Sequence, residues 1–260
     1  MRVIHDYLLL VEDGGDIPVA RTVVFAGKAA PGYWAAKQII KLINNVAEVI
    51  NKDPKVRDRL KVAFVPDYRV SLAEVIMPAC DLSEQISTAG MEASGTGCMK
   101  LAMNGGLTIG TLDGANIEIR EEVGEDNIYI FGHTAEQIHG MQRAHNYFPR
   151  EWYTSDKRIR RVVEAIGSDR FCAGEHGLFR WIVDALIDQG DKYFLIADLP
   201  SYLEAGRRAE QDFLHSPEWA RKAILNVARV GKFSSDRTVR EYARDIWGIA
   251  PVAAAPVGKP

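Results

Sequence analysis

The sequence predicts an α/β fold in which a parallel sheet is followed by a helical C-terminal extension. In the first two-thirds of the chain, short β-branched and aromatic runs alternate with segments whose apolar residues repeat every three or four positions. Roughly a dozen or more residues separate the strands, which is enough for the crossovers that join parallel neighbours. After about residue 134 only helical patterns follow.

Four strands are predicted, each a short apolar run closed by a turn signal. They cover residues 22–26, 62–65, 107–110 and 128–131. A helix opens after Pro31-Gly32 and is stopped by Asp53-Pro54, because the residue before a proline disfavours helical geometry. Its predicted buried stripe consists of Ile39, Ile43, Val46 and Ile50.

The C-terminal third is predicted to be helical. Two apolar stripes have helical spacing: Ile159, Val162, Val163, Ile166, and Phe179, Ile182, Val183, Leu186, Ile187. Ser216 before Pro217 is predicted as a helix N-cap, and Ser235 with Asp236 caps a last helix ending near Trp247. Because no linker is visible, we expect one domain over residues 1–250 and a disordered, proline-containing tail over residues 251–260.

Composition excludes several classes of protein. The 260 residues include 32 Lys and Arg and 35 Asp and Glu, and a net charge of −3 argues against a nucleic-acid binder. No apolar run is long enough to predict a transmembrane helix, and His5 and Asp6 interrupt the only signal-peptide-like stretch. Cys80, Cys98 and Cys172 form neither a disulfide framework nor a zinc pattern, which favours a reducing cytoplasm.

A glycine-rich segment, residues 87–97, leads directly into a short helical pattern. Such a turn can direct several backbone N–H groups at one anion. The segment does not fit a P-loop, because Lys100 is followed by Leu101, nor the dinucleotide fingerprint, because Lys100 stands where a glycine is required. Composition alone therefore leaves an anion site and an ordinary surface loop equally open.

Lys100 lies one turn into the helix that follows this loop. Burial there would favour the free amine, which is the form that makes a Schiff base. The alternative is a lysine whose head group stays in water, and spacing by itself favours this alternative because most lysines are solvated.

Six blocks of the chain carry a family resemblance. They are residues 27–33 (GKAAPGY), 67–74 (DYRVSLAE), 81–87 (DLSEQIS), 92–100 (EASGTGCMK), 110–118 (GTLDGANIE) and 231–237 (GKFSSDR). In this order they resemble blocks of the α-glucan phosphorylases, the family of glycogen, maltodextrin and starch phosphorylases, from about Arg21 to Gly248. Residues 131–134 (FGHT) and Leu112 are more similar to bacterial members than to animal ones.

This resemblance implies the Rossmann-like C-terminal domain of a GT-B glycosyltransferase, with Lys100 holding pyridoxal 5′-phosphate as a Schiff base. The cofactor's 5′-phosphate would donate and accept a proton while orthophosphate cleaves an α-1,4-glucan to glucose 1-phosphate. By position in the motifs, Thr96, Gly97, Tyr68 and Arg69 would bind the cofactor. Lys100 is then the residue on which catalysis depends.

The same resemblance implies a substrate site in which Glu92, Ser94 and Gly95 hydrogen-bond the hydroxyls of the glucosyl unit. Taken one at a time, these residues have ordinary alternatives. Glu92 could simply be solvated, and Arg69 could pair with a neighbouring carboxylate. Their joint occurrence in family order favours the functional interpretation.

The chain also departs from the family pattern. The family's N-terminal domain and the first part of its C-terminal domain are absent, so we expect a domain that is incomplete on its N-terminal side. Residues 2–8 resemble the remains of a cationic block, with Val3 and Leu8 where the family has an arginine and a lysine. Cys98 replaces the family's usual asparagine, and a thiol is the weaker hydrogen-bond partner.

Two hypotheses follow: the cofactor domain of a phosphorylase enzyme, or a non-catalytic cofactor-binding or scaffold domain that needs a partner to supply the missing half. A nucleotide-sugar glycosyltransferase is disfavoured, because such enzymes need no Schiff-base lysine. We expect no turnover by this chain alone. Uncovered apolar surface, such as that of Val23, Phe25 and Val62, predicts either self-association or a rearrangement of residues 1–20.

Overall fold

The computed structural model describes residues 1–56, 58–250 and 252, and within them five strands form two parallel sheets. In the first sheet β1 (Arg21–Ala26) pairs with β2 (Leu60–Val65). In the second, β4 (Leu107–Thr111) lies between β3 (Leu82–Gln85) and β5 (Tyr129–Phe131). Parallel pairing with a helical C-terminal part confirms the α/β fold, although the strands are divided between two sheets.

Helices connect the strands and then continue alone. The first five are α1 (Arg2–Val11), α2 (Trp34–Lys52), α3 (Val70–Ile76), α4 (Gly97–Met103) and α5 (Ala115–Val123). The extension consists of α6 (Ala135–Ala144), α7 (Pro149–Ser155), α8 (Lys157–Gly167), α9 (Arg180–Ile187), α10 (Leu195–Leu214), α11 (Ser216–Arg229) and α12 (Ser235–Glu241). A π-helical segment, Tyr242–Trp247, follows α12. In the described part of the chain, no helix combines the length and apolarity needed to cross a membrane.

All four predicted strands are present, with bounds that differ by at most two residues. β3 was not among the predicted strands, because its sequence Leu-Ser-Glu-Gln contains only one apolar residue. It is a strand because β4 pairs with it over its whole length, from Leu82 with Leu107 to Gln85 with Gly110. Ser83, which is 2% exposed, is the buried residue of this edge strand.

Helix α8 joins two hydrophobic cores. Val162 and Ile166 pack into a core built around β1, β2, α1 and α2. Ile159 and Val163, on the adjoining side of the helix, pack into a second core with β4, β5 and α10. All four residues are fully or almost fully buried, which confirms the stripe predicted for this helix.

Some details of the predicted helices are wrong. Ile39 is 46% exposed, because only the residues of α2 from Leu42 onwards pack into the core. Ser216 and Ser235 are the first residues of α11 and α12 rather than their N-caps, and neither helix has a side-chain cap bond. Apart from Val252, the tail predicted to be disordered lies outside the described residues.

The N-terminal residues form helix α1, which packs into the first core. Leu8, predicted to stand in place of a lysine, is 3% exposed in the first core. Val62 is 3% exposed and lies in the same core as α1, which agrees with the predicted alternative that residues 1–20 cover this surface. Val23 and Phe25 are partly buried against that core. Residues of α1 therefore share the core with the apolar surface that was expected to be uncovered.

A buried ion network ties α1 to both sheets and to α10. The Arg2 side chain is 8% exposed, and its Nη1 donates to Glu84 Oε1 of β3 at 2.8 Å. Its Nη2 lies 3.5 Å from Glu210 Oε1 of α10, which also accepts from Arg21 Nη2 of β1 at 2.5 Å. Tyr202 completes the network by donating to Glu84 Oε2 at 2.6 Å. These bonds hold the two sheets and α10 in one arrangement.

Candidate functional site

The carboxyl ends of β3, β4 and β5 lie at one edge of their sheet. The loops that follow them are residues 86–96, 112–114 and 132–134. In open parallel α/β sheets, ligands bind outside the carboxyl ends of the strands. The glycine-rich segment identified in the sequence forms most of the first of these loops and leads into α4, so the candidate site lies at this edge.

The turn between β4 and α5 holds the glycine-rich loop at its beginning and near its end. The Thr111 hydroxyl donates to the carbonyl oxygen of Ser87 at 2.6 Å. Further along, the Ala115 N–H donates to the carbonyl oxygen of Ser94 at 2.7 Å. The first bond ties the loop to β4, whose five residues are all buried, and the second ties it to the first residue of α5.

Asp113 holds the middle of the loop. Its Oδ2 accepts hydrogen bonds from the backbone N–H groups of Met91 at 3.2 Å and Glu92 at 2.8 Å. Sequence reasoning did not single out Asp113, and no local signal identifies it, because its partners lie more than 20 positions earlier in the chain.

Lys100 and Thr96 lie side by side at the start of α4. Thr96 is the N-cap residue, and Lys100 Nζ donates to Thr96 Oγ1 at 3.4 Å. Both side chains are exposed, so of the two alternatives for Lys100 the structure shows the one with its head group in water. A side chain at Gly97 would find only the Gln85 amide within 4 Å, at 3.6 Å, so the backbone there can be approached closely. The arrangement presents an amine, a hydroxyl and open backbone to solvent.

Glu92, Ser94 and Gly95 lie together on the solvent side of the same loop. The Ser87 hydroxyl donates to Glu92 Oε2 at 3.3 Å. Gly95 has φ +78°, and a Cβ at this position would stand 3.6 Å from Glu92 Oε1. The structure therefore brings the three predicted sugar-binding residues into one turn.

Tyr68 and Arg69 follow β2 and so belong to the other sheet. Arg69 Nη1 donates to Asp67 Oδ2 at 2.7 Å, and Lys28 Nζ lies 3.2 Å from the other oxygen of that carboxylate. Across the described residues, no hydrogen bond or ion pair joins Tyr68 or Arg69 to Lys100. Arg69 thus has the neighbouring-carboxylate partner that the sequence left open as its alternative role.

Cys98 is 2% exposed and packs with Ala102, Ala115 and Ile119 between α4 and α5. Burial raises the pKa of its thiol. The residue that departs from the family pattern therefore serves as a small core residue that anchors α4.

His133, in the loop after β5, is a second residue of the site that the sequence did not single out. Its backbone N–H donates to Asp198 Oδ1 at 2.9 Å, and its Nδ1 lies 2.7 Å from the same oxygen. The hydrogen bond with Asp198 raises the pKa of His133, and burial opposes this rise only in part. The pair fastens the loop after β5 to α10.

This pair predicts that stability depends on pH. Because the pKa of His133 is higher in the folded than in the unfolded chain, its contribution is complete below the unfolded value of about 6.5 and is lost as the pH rises through the folded value. We expect the difference in unfolding free energy between wild type and His133→Gln to shrink from about pH 6 to pH 8 in urea titrations. The exposed His215, replaced in the same way, is the control. A difference that stays constant over this range would contradict the assignment.

Comparisons with known proteins agree on one family. The profile of a family described as "Carbohydrate phosphorylase" matches residues 1–249. The chain is 53% identical over 252 residues to a glycogen phosphorylase of Synechocystis sp., covering 97% of this chain and 29% of the relative. A glycogen phosphorylase of Bacillus subtilis is 49% identical over 252 residues, covering 97% of this chain and 32% of the relative. The human brain form of glycogen phosphorylase is 47% identical over 251 residues, covering 96% of this chain and 30% of the relative. The chain thus spans about 30% of the length of these curated relatives.

Proposed function

Because the chain belongs to the carbohydrate phosphorylase family, we propose that it is the cofactor-holding C-terminal part of an α-glucan phosphorylase. The proposed reaction transfers the terminal glucosyl unit of an α-1,4-glucan to orthophosphate and yields glucose 1-phosphate. The observation that supports this most is the position of the segment from Glu92 to Lys100 at the carboxyl edge of a parallel sheet, with its amine, hydroxyl and carboxylate facing solvent.

The groups on α4 fit pyridoxal phosphate. Lys100 offers a primary amine that can bind an aldehyde covalently, and the Thr96 hydroxyl next to it can donate to a phosphate oxygen. Gly97 leaves its backbone open to close approach. When bound, the cofactor supplies a phosphate group that can give and take a proton. In the proposed site Lys100 holds the cofactor, and Thr96 and Gly97 orient its phosphate.

Tyr68 and Arg69 are proposed to pack near the ring and phosphate of the cofactor. Arg69 donates to Asp67 and Ser71 through Nη1 and Nε, and within the described residues its Nη2 makes no hydrogen bond. A guanidinium can bind an anion there while it stays paired with Asp67, because it donates several hydrogen bonds in a planar fork.

The glucosyl unit is assigned to the turn that contains Glu92, Ser94 and Gly95. Glu92 accepts hydrogen bonds from sugar hydroxyls through its carboxylate, Ser94 can donate or accept, and Gly95 lets the ring approach the backbone. All three residues lie on the solvent-facing side of a loop whose backbone is held by hydrogen bonds at Glu92 and Ser94.

The cofactor assignment predicts a selective covalent adduct. We expect that incubation of the full chain with pyridoxal phosphate, followed by borohydride reduction and peptide mass spectrometry, places the adduct on Lys100 and that Lys100→Arg abolishes it. Lys52, a helical lysine that is 74% exposed, is the matched control, and Lys52→Arg should retain the adduct. Equal modification of Lys52 and Lys100 in the wild type would sink the assignment.

The non-catalytic alternative differs from the enzyme only in turnover. We propose that residues 1–250 act as one domain that binds cofactor but does not catalyse the reaction alone. Release of glucose 1-phosphate from maltodextrin and phosphate by this chain would overturn the proposal.

We also propose that the chain self-associates. Exposed apolar side chains such as Ile224, Ile246 and Trp247 support this, and light scattering can test it. A cytoplasmic location is also proposed, in keeping with three cysteines that are all free.

A further inference from the structure

We propose that Asp113 is a positioning residue that sets the place of the sugar-binding groups Glu92 and Ser94. This inference rests on the proposed function, because it assigns a supporting role to a residue behind the proposed sugar site. Asp113 is partly buried in the turn after β4, on the β4–α5 side of the glycine-rich loop.

The Asp113 carboxylate is hydrogen-bonded to the backbone of the loop. One oxygen of Asp113 accepts from the N–H groups of two consecutive residues, Met91 and Glu92, at 3.2 and 2.8 Å. Such bonds between a charged acceptor and backbone donors are roughly twice as strong as bonds between neutral groups. Because the second donor is the N–H of Glu92 itself, Asp113 acts on the backbone position from which that carboxylate extends.

The two residues that follow Asp113 also contact the loop. The Ala115 N–H donates to the carbonyl oxygen of Ser94 at 2.7 Å. Gly114 lies against the same carbonyl, since a Cβ at this position would stand only 2.4 Å from it. Residues 113–115 therefore contact the loop at residues 91, 92 and 94, which include the proposed sugar-binding residues Glu92 and Ser94.

The Asp113 carboxylate has no other charged partner among the described residues. It makes no ion pair there with a Lys, Arg or His side chain, and its hydrogen bonds go to the two loop amides. Residues 90–94 of the loop are exposed, so their backbone would sample more conformations without such bonds. Asp113 thus acts through the backbone of the loop and not by touching substrate.

The first test measures the loop directly. We expect Asp113→Ala to speed the hydrogen exchange of the Glu92 amide about tenfold or more, because its charge-assisted bond is lost. The Met91 amide should change less, since it also donates to the carbonyl oxygen of Thr88 at 3.0 Å. Asp113→Asn keeps an acceptor oxygen and should restore most of the protection. Glu121→Ala, which removes an exposed carboxylate from α5, is the matched control and should leave exchange at both amides unchanged. Unchanged exchange in Asp113→Ala would overturn the proposal.

The second test asks whether Asp113 acts through Glu92. Binding of glucose 1-phosphate to the full chain is followed by NMR titration in wild type, Asp113→Ala, Glu92→Ala and the double variant. We expect about tenfold weaker binding in Asp113→Ala and no further loss when it is added to Glu92→Ala, as holds for residues that act as a unit. If the fold-losses in affinity of the two single variants multiply in the double variant, the positioning role is overturned. If the wild type does not bind the sugar phosphate, the proposed sugar site is refuted, whereas the exchange data still decide whether Asp113 holds the loop.

Discussion

Replacing Gly114 with alanine is expected to lower the free energy of unfolding by about 2–4 kcal/mol and to displace the glycine-rich loop. Gly114 has φ +51° and ψ −141°, a backbone conformation that side-chain-bearing residues rarely adopt. In addition, the new Cβ would stand 2.4 Å from the carbonyl oxygen of Ser94, a backbone atom that cannot rotate away. Either the turn or the loop must move, and the bond from Ala115 to Ser94 is lost in both cases.

Gly140 provides the matched control for this prediction. It lies inside α6, and a Cβ there would have no atom within 4 Å. Gly140→Ala should therefore raise the free energy of unfolding by about 0.5–1 kcal/mol, since alanine loses less backbone entropy in a helix. Urea titrations of both variants measure the effects. If Gly114→Ala is as stable as the wild type, the close approach of the turn to the loop is refuted.

Removing the buried charge of Arg2 is the second change with a large expected effect. Arg2→Met should cost about 3–5 kcal/mol of stability, because removing one partner of a buried ion network leaves the others uncompensated. The carboxylates left behind are those of Glu84, Glu210 and Asp6, of which the last two are only 14% and 12% exposed. The site is shaped around this side chain, since a Cβ at Gly206 would lie 2.9 Å from the guanidinium carbon.

The double variant Arg2→Met with Glu84→Gln distinguishes lost charge balance from lost packing. Neutralising Glu84, which faces Arg2 Nη1 at 2.8 Å, should restore part of the stability if charge is the cause. Arg240→Met is the surface control, because Arg240 is 77% exposed and lies 3.9 Å from its partner Asp236. It should leave the urea midpoint unchanged. An Arg2→Met protein with the midpoint of the wild type would show that the network contributes nothing to stability.

Some of the fold was predictable because its signals are local. The strands at 22–26 and 107–110 are runs of β-branched and apolar residues, and these residue types favour extended structure wherever they pack. The stripe of α8 was predictable for the same reason, because a period of 3.6 places residues 159, 162, 163 and 166 on one side of a helix. That this stripe serves two separate cores was not predictable from its spacing.

Other elements carried a weaker signal or none. In α1, Ile4, Tyr7 and Leu8 have helical spacing, yet the charged residues between them obscured the pattern. For β3 no periodicity could have helped, because its strand character comes from pairing with β4. The division into two sheets likewise depends on which strand edges meet, and hydrophobic patterns do not contain that information.

The candidate site shows the same division. The closeness of Thr96 and Lys100 to each other follows from their spacing of four residues at the start of a helix, which places both side chains on one face. The exposure of Lys100 does not follow from that spacing, since it depends on what packs over the helix. The bond between His133 and Asp198 joins residues 65 positions apart, and only the packing of α10 against β5 brings them together.

The family, the parallel α/β class and the segment that carries the proposed chemistry could all be read from residue identity and spacing along the chain. The contacts by which Asp113 holds the glycine-rich loop and Arg2 is buried among carboxylates became visible only in the folded chain. Hydrogen bonds and ion pairs form over about 3 Å, and distances on that scale between residues far apart in the chain are set by how helices and strands pack.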